Sequence, residues 1–265
     1  MANTTFRRLC ITATFLGIGF PTFAADVIRL AQPRPLMILT GELSERYGYR
    51  VTYEDAPADP TREIVIDKDP NGPTRRYPAW KPVVFHLQTR EDSKAALAGA
   101  VPAPGIIEPL LDEYNSSGNP GRFNVVYDGD YAHVVQTQRS VDGKLVDFDP
   151  ILGTVVPVTK AVGICGDVLD GLWSELRQAR GIKDVMEAAV PMAPLHTQQC
   201  IITGHDIPAR QVLNQILDQF NVHPRTGERL ARYVWTFVHD PTIDSYFLGV
   251  RMVSSPPPVT PAKGL

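Results

Sequence analysis

Gln211-Val212-Leu213-Asn214-Gln215-Ile216-Leu217-Asp218-Gln219-Phe220-Asn221 is the stretch from which the fold is read. Counted from Ala209, its apolar residues Val212, Leu213, Ile216, Leu217 and Phe220 fall 3, 4, 7, 8 and 11 positions on. That spacing predicts one apolar helix face, and Asp206 is a candidate N-cap. Trp235-Thr236-Phe237-Val238-His239-Asp240 and Tyr246-Phe247-Leu248-Gly249-Val250 follow as strands that pair across Asp240-Pro241.

The same plan stands earlier in the chain. Ile106-Ile107-Glu108-Pro109-Leu110-Leu111-Asp112-Glu113-Tyr114-Asn115 predicts a helix. Phe123 to Asp128 and Tyr131 to Val135 predict a hairpin that turns at Asp128-Gly129-Asp130. Upstream, Glu42-Leu43-Ser44-Glu45-Arg46-Tyr47-Gly48-Tyr49 sets against Glu175-Leu176-Arg177-Gln178-Ala179-Arg180-Gly181-Ile182. In both, glycine stands where a helix ends, since it adopts the left-handed conformation at little cost. Such self-similarity predicts an α+β protein of two tandem similar βαβ-βαββ domains, each with two helices on a small mixed sheet. The predicted boundaries are 1–24 for a signal peptide, 25–140 and 141–253 for the two domains, and 254–265 for a disordered proline-rich tail. Residues 57–82 are the least regular part of the first half, and 182–198 fit either helix or strand.

At 265 residues the chain is long enough for two modest cores. Its start reads as a secretory signal: Arg7 and Arg8, a short apolar run from Leu9 to Phe20, then Thr22-Phe23-Ala24. The run is shorter than the about 20 apolar residues that span a bilayer, and no later stretch is longer, so nothing spans a membrane after cleavage. Loss of Arg7 and Arg8 leaves 24 basic against 29 acidic residues and moves the net charge from −3 to −5. That argues against a nucleic-acid partner.

Cys165 and Cys200 are the two cysteines beyond the signal. In an oxidising compartment an even pair is a disulfide candidate, contributing about 3–4 kcal/mol by loop closure, with two separate buried thiols as the alternative. His196, Cys200 and His205, beside Asp206, are the candidate metal ligands, but their spacing matches no standard zinc pattern, so no metal and no cofactor is expected. The chain has no Gly-x-Ser-x-Gly elbow and no His-Glu-x-x-His motif. Each acid pair sits at an expected turn, where aspartate bonds its own backbone, so no catalytic residue is assigned. His86, His133 and His239 fall in expected strands as core or edge residues. Arg75, Arg76, Tyr77 and Trp80, in a proline-rich stretch, are the candidate interaction-loop residues.

The order of elements resembles the secretin and TonB N-terminus short domain and the related secretin N-terminal modules. The likeness rests on Pro35-Leu36-Met37-Ile38-Leu39 through Tyr47-Gly48-Tyr49-Arg50-Val51-Thr52-Tyr53. It rests also on Ile207-Pro208-Ala209-Arg210-Gln211-Val212-Leu213 through Ile216-Leu217 and the closing hairpin. It covers most of residues 26–253 as two copies. The resemblance implies a periplasmic docking module that positions subunits or passes signals in outer-membrane machines. No barrel, plug or secretin core follows here, so a role inside a larger outer-membrane protein does not carry over. The expected function is a non-catalytic, exported protein–protein interaction module, periplasmic or secreted, whose partner is another periplasmic or outer-membrane protein. The alternative is a secreted hydrolase or small-ligand binder, with His196, His205 and an acid meeting in the groove between the repeats.

Overall fold

The computed structural model describes residues 25–59, 64–68, 72, 74–88, 105–158, 161–189, 192–220 and 232–253. The expected signal peptide and the proline-rich tail lie outside these residues.

The protein is α+β. Its first half runs β1 (Ala25–Leu30), α1 (Pro35–Tyr47), β2 (Val51–Glu54), β3 (Ile64–Asp67), β4 (Arg75–Pro78), β5 (Val83–Gln88), α2 (Ile107–Ser116), β6 (Arg122–Asp128), β7 (Tyr131–Val141) and β8 (Lys144–Asp147). A single 3-10 turn, Ile151–Gly153, leads into β9 (Val155–Val156), β10 (Val162–Ile164), α3 (Cys165–Arg180), β11 (Val185–Ala189) and α4 (Met192–Thr197). Then come β12 (Gln199–Ile201), β13 (Ile207–Pro208), α5 (Ala209–Gln219), β14 (Arg232–Asp240) and β15 (Ser245–Val253).

Local chemistry accounts for the helix ends. Pro35 occupies the first turn of α1, where its missing N–H costs nothing. Gly48 and Gly181 end α1 and α3 at φ of 67° and 63°. Asp206 does not cap α5, which instead starts directly after Pro208. The irregular stretch contains the antiparallel pair β3–β4, and the ambiguous one resolves into β11 and the short α4.

The expectation of a separate small sheet in each half is replaced by one seven-stranded sheet, ordered β11-β15-β14-β2-β7-β6, with β8 also on β7. The halves meet where β2 runs parallel to β14, Tyr53 beside Thr236 and Glu54 beside Phe237. Within each half the pairings correspond. β1 pairs β5 as β10 pairs β12, both antiparallel. β2 runs parallel to β7 as β11 does to β15, and β6–β7 and β14–β15 are antiparallel hairpins.

Across the sheet the strand order of the halves is kept while the strand directions reverse. Only a half-turn about an axis running across the strands does that, and it also exchanges the two faces. The cores obey this geometry. Leu36, Leu39, Leu43, Leu110 and Leu111 from α1 and α2 pack with Val51, Tyr53 and Val134. On the other face Leu169, Leu172, Leu213 and Ile216 from α3 and α5 pack with Trp235, Phe237 and Leu248. β2 is therefore buried on both sides, since successive residues of a strand point to opposite faces.

Candidate functional site

The two-sided burial of β2 places Arg50, Thr52 and Glu54 under the second half's helix α5, all three fully buried. Buried polar groups need partners, and here they find them across the seam. Trp235 Nε1 donates to Asn214 Oδ1 at 2.9 Å. The other amide atom, Nδ2, then faces His133 Nε2 at 3.3 Å, so Nε2 accepts. The ring proton is left on Nδ1, which donates to Thr52 Oγ1 at 2.6 Å. Burial, helped by Arg210 and Arg50, pushes His133 down to about 3, so it is neutral at physiological pH. Both nitrogens are engaged and the ring stacks between Tyr131 and Trp235. His133 is a core histidine.

The Arg50 guanidinium carbon lies over the Tyr131 ring, 3.6 Å from its centroid. Its Nη2 donates to Asp218 of α5 and to the Tyr131 hydroxyl, and Nη1 stands 3.6 Å from Asp130. On the next turn of β2, Glu54 Oε1 accepts the Leu152 N–H at 2.8 Å. Arg210 Nε in turn donates to the Leu152 carbonyl at 3.3 Å. Burial raises Glu54 to about 7, although Arg210 and the Leu152 N–H act against it. At the far end Arg34 Nε donates to Asp55 at 2.7 Å and Nη2 to the His239 carbonyl. The His239 N–H donates to the same carboxylate at 2.7 Å. These contacts fasten α1, β2 and β14 together.

Above Arg50 the seam opens into a groove of about 370 Å³ lined by Asp128, Asp130 and Tyr131 of the first half and by Gln211, Asn214 and Asp218 of α5. Its lining holds no serine, cysteine, lysine or histidine, and so no nucleophile–base pair for acyl transfer.

The expected meeting of His196 and His205 in this groove does not occur. His196 is exposed on α4, and His205 is an exposed neighbour of Asp206 at 3.1 Å. Cys200 is joined to Cys165 in a disulfide, Cα atoms 4.9 Å apart, so its sulfur is not a metal ligand. Among the described residues no group of three His, Cys, Asp or Glu could hold a metal ion. No described helix is long and apolar enough to cross a membrane. His86 sits on the exposed side of β5, whose other side is core, with its Nδ1 2.9 Å from Glu113.

A second surface surrounds Trp80. Arg75, Arg76 and Tyr77 form the backbone of β4, and their side chains lie outside the described residues. Trp80 is half-buried, its ring 5.4 Å from the Arg34 guanidinium. Together with Lys81, Pro120, Arg122 and Leu145 it lines a groove of about 350 Å³. One wall of this groove is the β7–β8 hairpin, and all four residues of β8 are exposed. Asp142 and Gly143 both have positive φ, 53° and 78°, the signature of a two-residue type I′ turn. Val141 and Lys144 therefore exchange both main-chain bonds, and the parity continues to Phe148 N–H, which donates to Thr137 O at 2.7 Å. Leu145 and Asp147 consequently turn their N–H and C=O groups to the outer edge, where no described strand pairs with them.

Sequence reasoning named Trp80 on the second surface but missed the seam residues and the free edge of β8. Arg50-x-Thr52-x-Glu54 alternates with Tyr49, Val51 and Tyr53, a pattern that ordinarily marks a solvent-facing strand side. Asp142-Gly143 is by itself a turn signal, but the four residues that follow are too few to announce a strand.

No protein family matches the chain, and no curated protein or solved structure matches it.

Proposed function

We propose that the protein is an exported, non-catalytic docking module that takes up a strand of a partner protein along the outer edge of β8. The observation that carries this reading is β8 itself. It is wholly exposed, shows Leu145 and Val146 to solvent at 46% and 39%, and has Leu145 and Asp147 main-chain groups directed outward. Exposed edges are ordinarily blunted or covered, and strand addition to a free edge is a common recognition mode. The resemblance to secretin and TonB N-terminal modules supports a periplasmic or outer-membrane protein as partner. The signal-like N-terminus and the Cys165–Cys200 bridge support export to an oxidising compartment.

A photo-crosslinking residue at Val146, in full-length protein within its native host, tests this. A discrete adduct is expected, and it should vanish when Leu145 is also changed to proline. An adduct indifferent to Leu145→Pro removes the strand-addition reading. A second reading, non-covalent small-molecule binding, draws on the polar groove that straddles the seam. The hydrolase version of it finds no Ser, Cys, Lys or His in that groove's lining, whose ionisable groups are Asp128, Asp130, Tyr131 and Asp218.

A further inference from the structure

The seam inside the molecule is itself a strand added to an edge, and the free end of the sheet repeats the half that receives it. Helix α5 stands on β14 and takes β2 beside it, Asp218 meeting Arg50. Helix α2 stands on β6 in the same way, and three pairs of contacts fix the correspondence. Trp235 of β14 donates to Asn214 as Tyr127 of β6 donates to Glu108 at 3.1 Å. Gln219 accepts the Ile201 N–H of β12 as Glu113 accepts the His86 N–H of β5. Phe220 meets Tyr233 edge to face as Tyr114 meets Phe123. Asp112, one turn after Glu108, therefore holds the place of Asp218, one turn after Asn214.

Beyond β14 lies β2, but beyond β6 no described strand follows. Of the two residues in the β6–β7 turn only Gly129 has positive φ, 54°, the mark of a type II′ turn. Asp128 and Tyr131 therefore exchange main-chain bonds, and by alternation Phe123, Val125 and Tyr127 turn theirs outward. Asn115 of α2 takes both groups of Phe123, at 3.0 and 2.9 Å. That brings one face of the helix to the outer edge, and Glu108, Asp112 and Asn115 share this face at i, i+4 and i+7. Asp112 is exposed and has no ion-pair partner among the described residues. No described group bonds the outward main chain of Val125 or Tyr127. A short free stretch is enough, since the seam itself pairs only two residues of β2 with β14.

We infer that the edge of β6 beside α2 is a second docking site, which takes an extended basic segment of a partner protein parallel to β6, with an arginine or lysine against Asp112. Its alternate side chains fall on the other face, where Val126 is 41% exposed, so the segment alternates basic with apolar residues. A second copy of the chain is disfavoured by its own charge. Its strand for the purpose is β11, whose Asp184 carbonyl accepts the Tyr246 N–H as the Arg50 carbonyl of β2 accepts that of Ala132. Head-to-tail addition places Asp184 opposite Asp112, where the seam has Arg50 opposite Asp218, and like charges across an interface cost affinity. This site is independent of the β8 edge.

The test uses the full chain and fluorescein-labelled short peptides, read by fluorescence anisotropy at low and physiological salt. One peptide alternates arginine with valine, a second has aspartate in place of arginine, and a third is the first with its backbone amides methylated. The arginine peptide should bind, more weakly as salt rises, and lose on the order of tenfold in affinity in Asp112→Lys. Asp112→Asn, the milder change at an exposed position, should lose part of that and guards against misfolding of the charge reversal. Amide hydrogen exchange at Val125 and Tyr127 should slow on binding, and Leu145→Pro should leave the affinity unchanged. Failure of the arginine peptide to bind, equal binding of either other peptide, or indifference to Asp112→Lys would overturn the inference. Loss of binding in Leu145→Pro would do the same, by moving the peptide to β8. Native protein that sediments as oligomers which the arginine peptide dissociates would give the edge to a second copy and remove the partner.

Discussion

The first and second halves of the molecule use the same strand pairings and bury similar leucine-rich helices, yet they are finished differently. The second half closes its two-stranded sheet onto α3 with the Cys165–Cys200 bridge. The first half has no described disulfide and instead extends β7 past the sheet into the exposed β8 arm. Shared pairings make the scaffold, and the unshared parts face outward. Between them lies β2, a strand of the first half whose even-numbered residues serve the second.

The seam gives the sharpest way to break that comparison. His133 is neutral when folded because burial holds it near 3, whereas the unfolded ring titrates near 6.5. Its contribution is present above about pH 6.5 and lost as pH falls toward 3, in total about 5 kcal/mol. Glu54 has the opposite sign. Its folded value of about 7 exceeds the unfolded 4.5, so its contribution is full below about pH 4.5 and lost as pH rises through 7, about 3 kcal/mol. Between pH 4.5 and 6.5 the two slopes oppose each other, and urea midpoints of the native protein should be nearly flat there. Glu54→Gln should uncover a fall in stability with acid across this window, and His133→Gln should remove the acid limb below it. A native protein that loses stability steeply from pH 6.5 would contradict the pairing of these two groups.

The disulfide asks whether the halves stand or fall together. Replacing Cys165 and Cys200 by alanine, 35 positions apart, should cost about 4 kcal/mol by loop closure. Trp80 reports on the first half and Trp173 and Trp235 on the second, so tryptophan-to-phenylalanine backgrounds can follow each separately in urea. With one sheet running through both halves, the two signals should move to lower urea together. A second half that unfolds alone would mean that the β2–β14 pairing, only two residues long, does not couple them.

Arg50 sharpens the same question at one residue. Asp218→Ala leaves a fully buried guanidinium with Tyr131 and, at 3.6 Å, Asp130 as its side-chain partners among the described residues. A loss of about 3 kcal/mol is expected, because an orphaned buried charge is worse than none. Arg50→Met, which removes the charge along with its demand for partners, should cost less than Asp218→Ala. The reverse order in denaturant titrations would show that the guanidinium itself, through its stacking on Tyr131, holds the seam.

Which of these features the sequence announced follows from how local each one is. Helix α5 was legible because its stripe depends only on its own residues, and Gly48 and Gly181 announced the ends of α1 and α3 for the same reason. The cysteine pair was legible because the compartment and the even count argue without structure. The parallel contact of Tyr53 and Glu54 with Thr236 and Phe237 joins segments far apart in the chain and leaves no periodic trace. Its consequence, burial of the polar side of β2, inverted the usual meaning of alternation. Arg50, Thr52 and Glu54 therefore went unnoticed, and Asn214 and Asp218 read as the solvated side of their helix.

The smallest expected effect on stability belongs to the arm that distinguishes the first half. Leu145→Pro removes an N–H that points away from β7, a position where an edge strand tolerates proline. Its cost should stay within about 0.5 kcal/mol, as for other surface changes. Val146→Pro, one residue on, deletes an N–H that the I′ turn directs to β7 opposite Arg139, so the hairpin itself should loosen. Amide hydrogen exchange separates the two: Lys144 and Arg139 should keep their protection in Leu145→Pro and lose it in Val146→Pro. If both prolines expose the hairpin equally, the outward direction of Leu145 is wrong, and the free edge belongs to Lys144 and Val146 instead. If the prediction holds, stability and docking separate cleanly at Leu145. An arm that adds nothing to the fold while its apolar edge stays in solvent then bears on the proposed docking alone, which the Val146 crosslink reads directly.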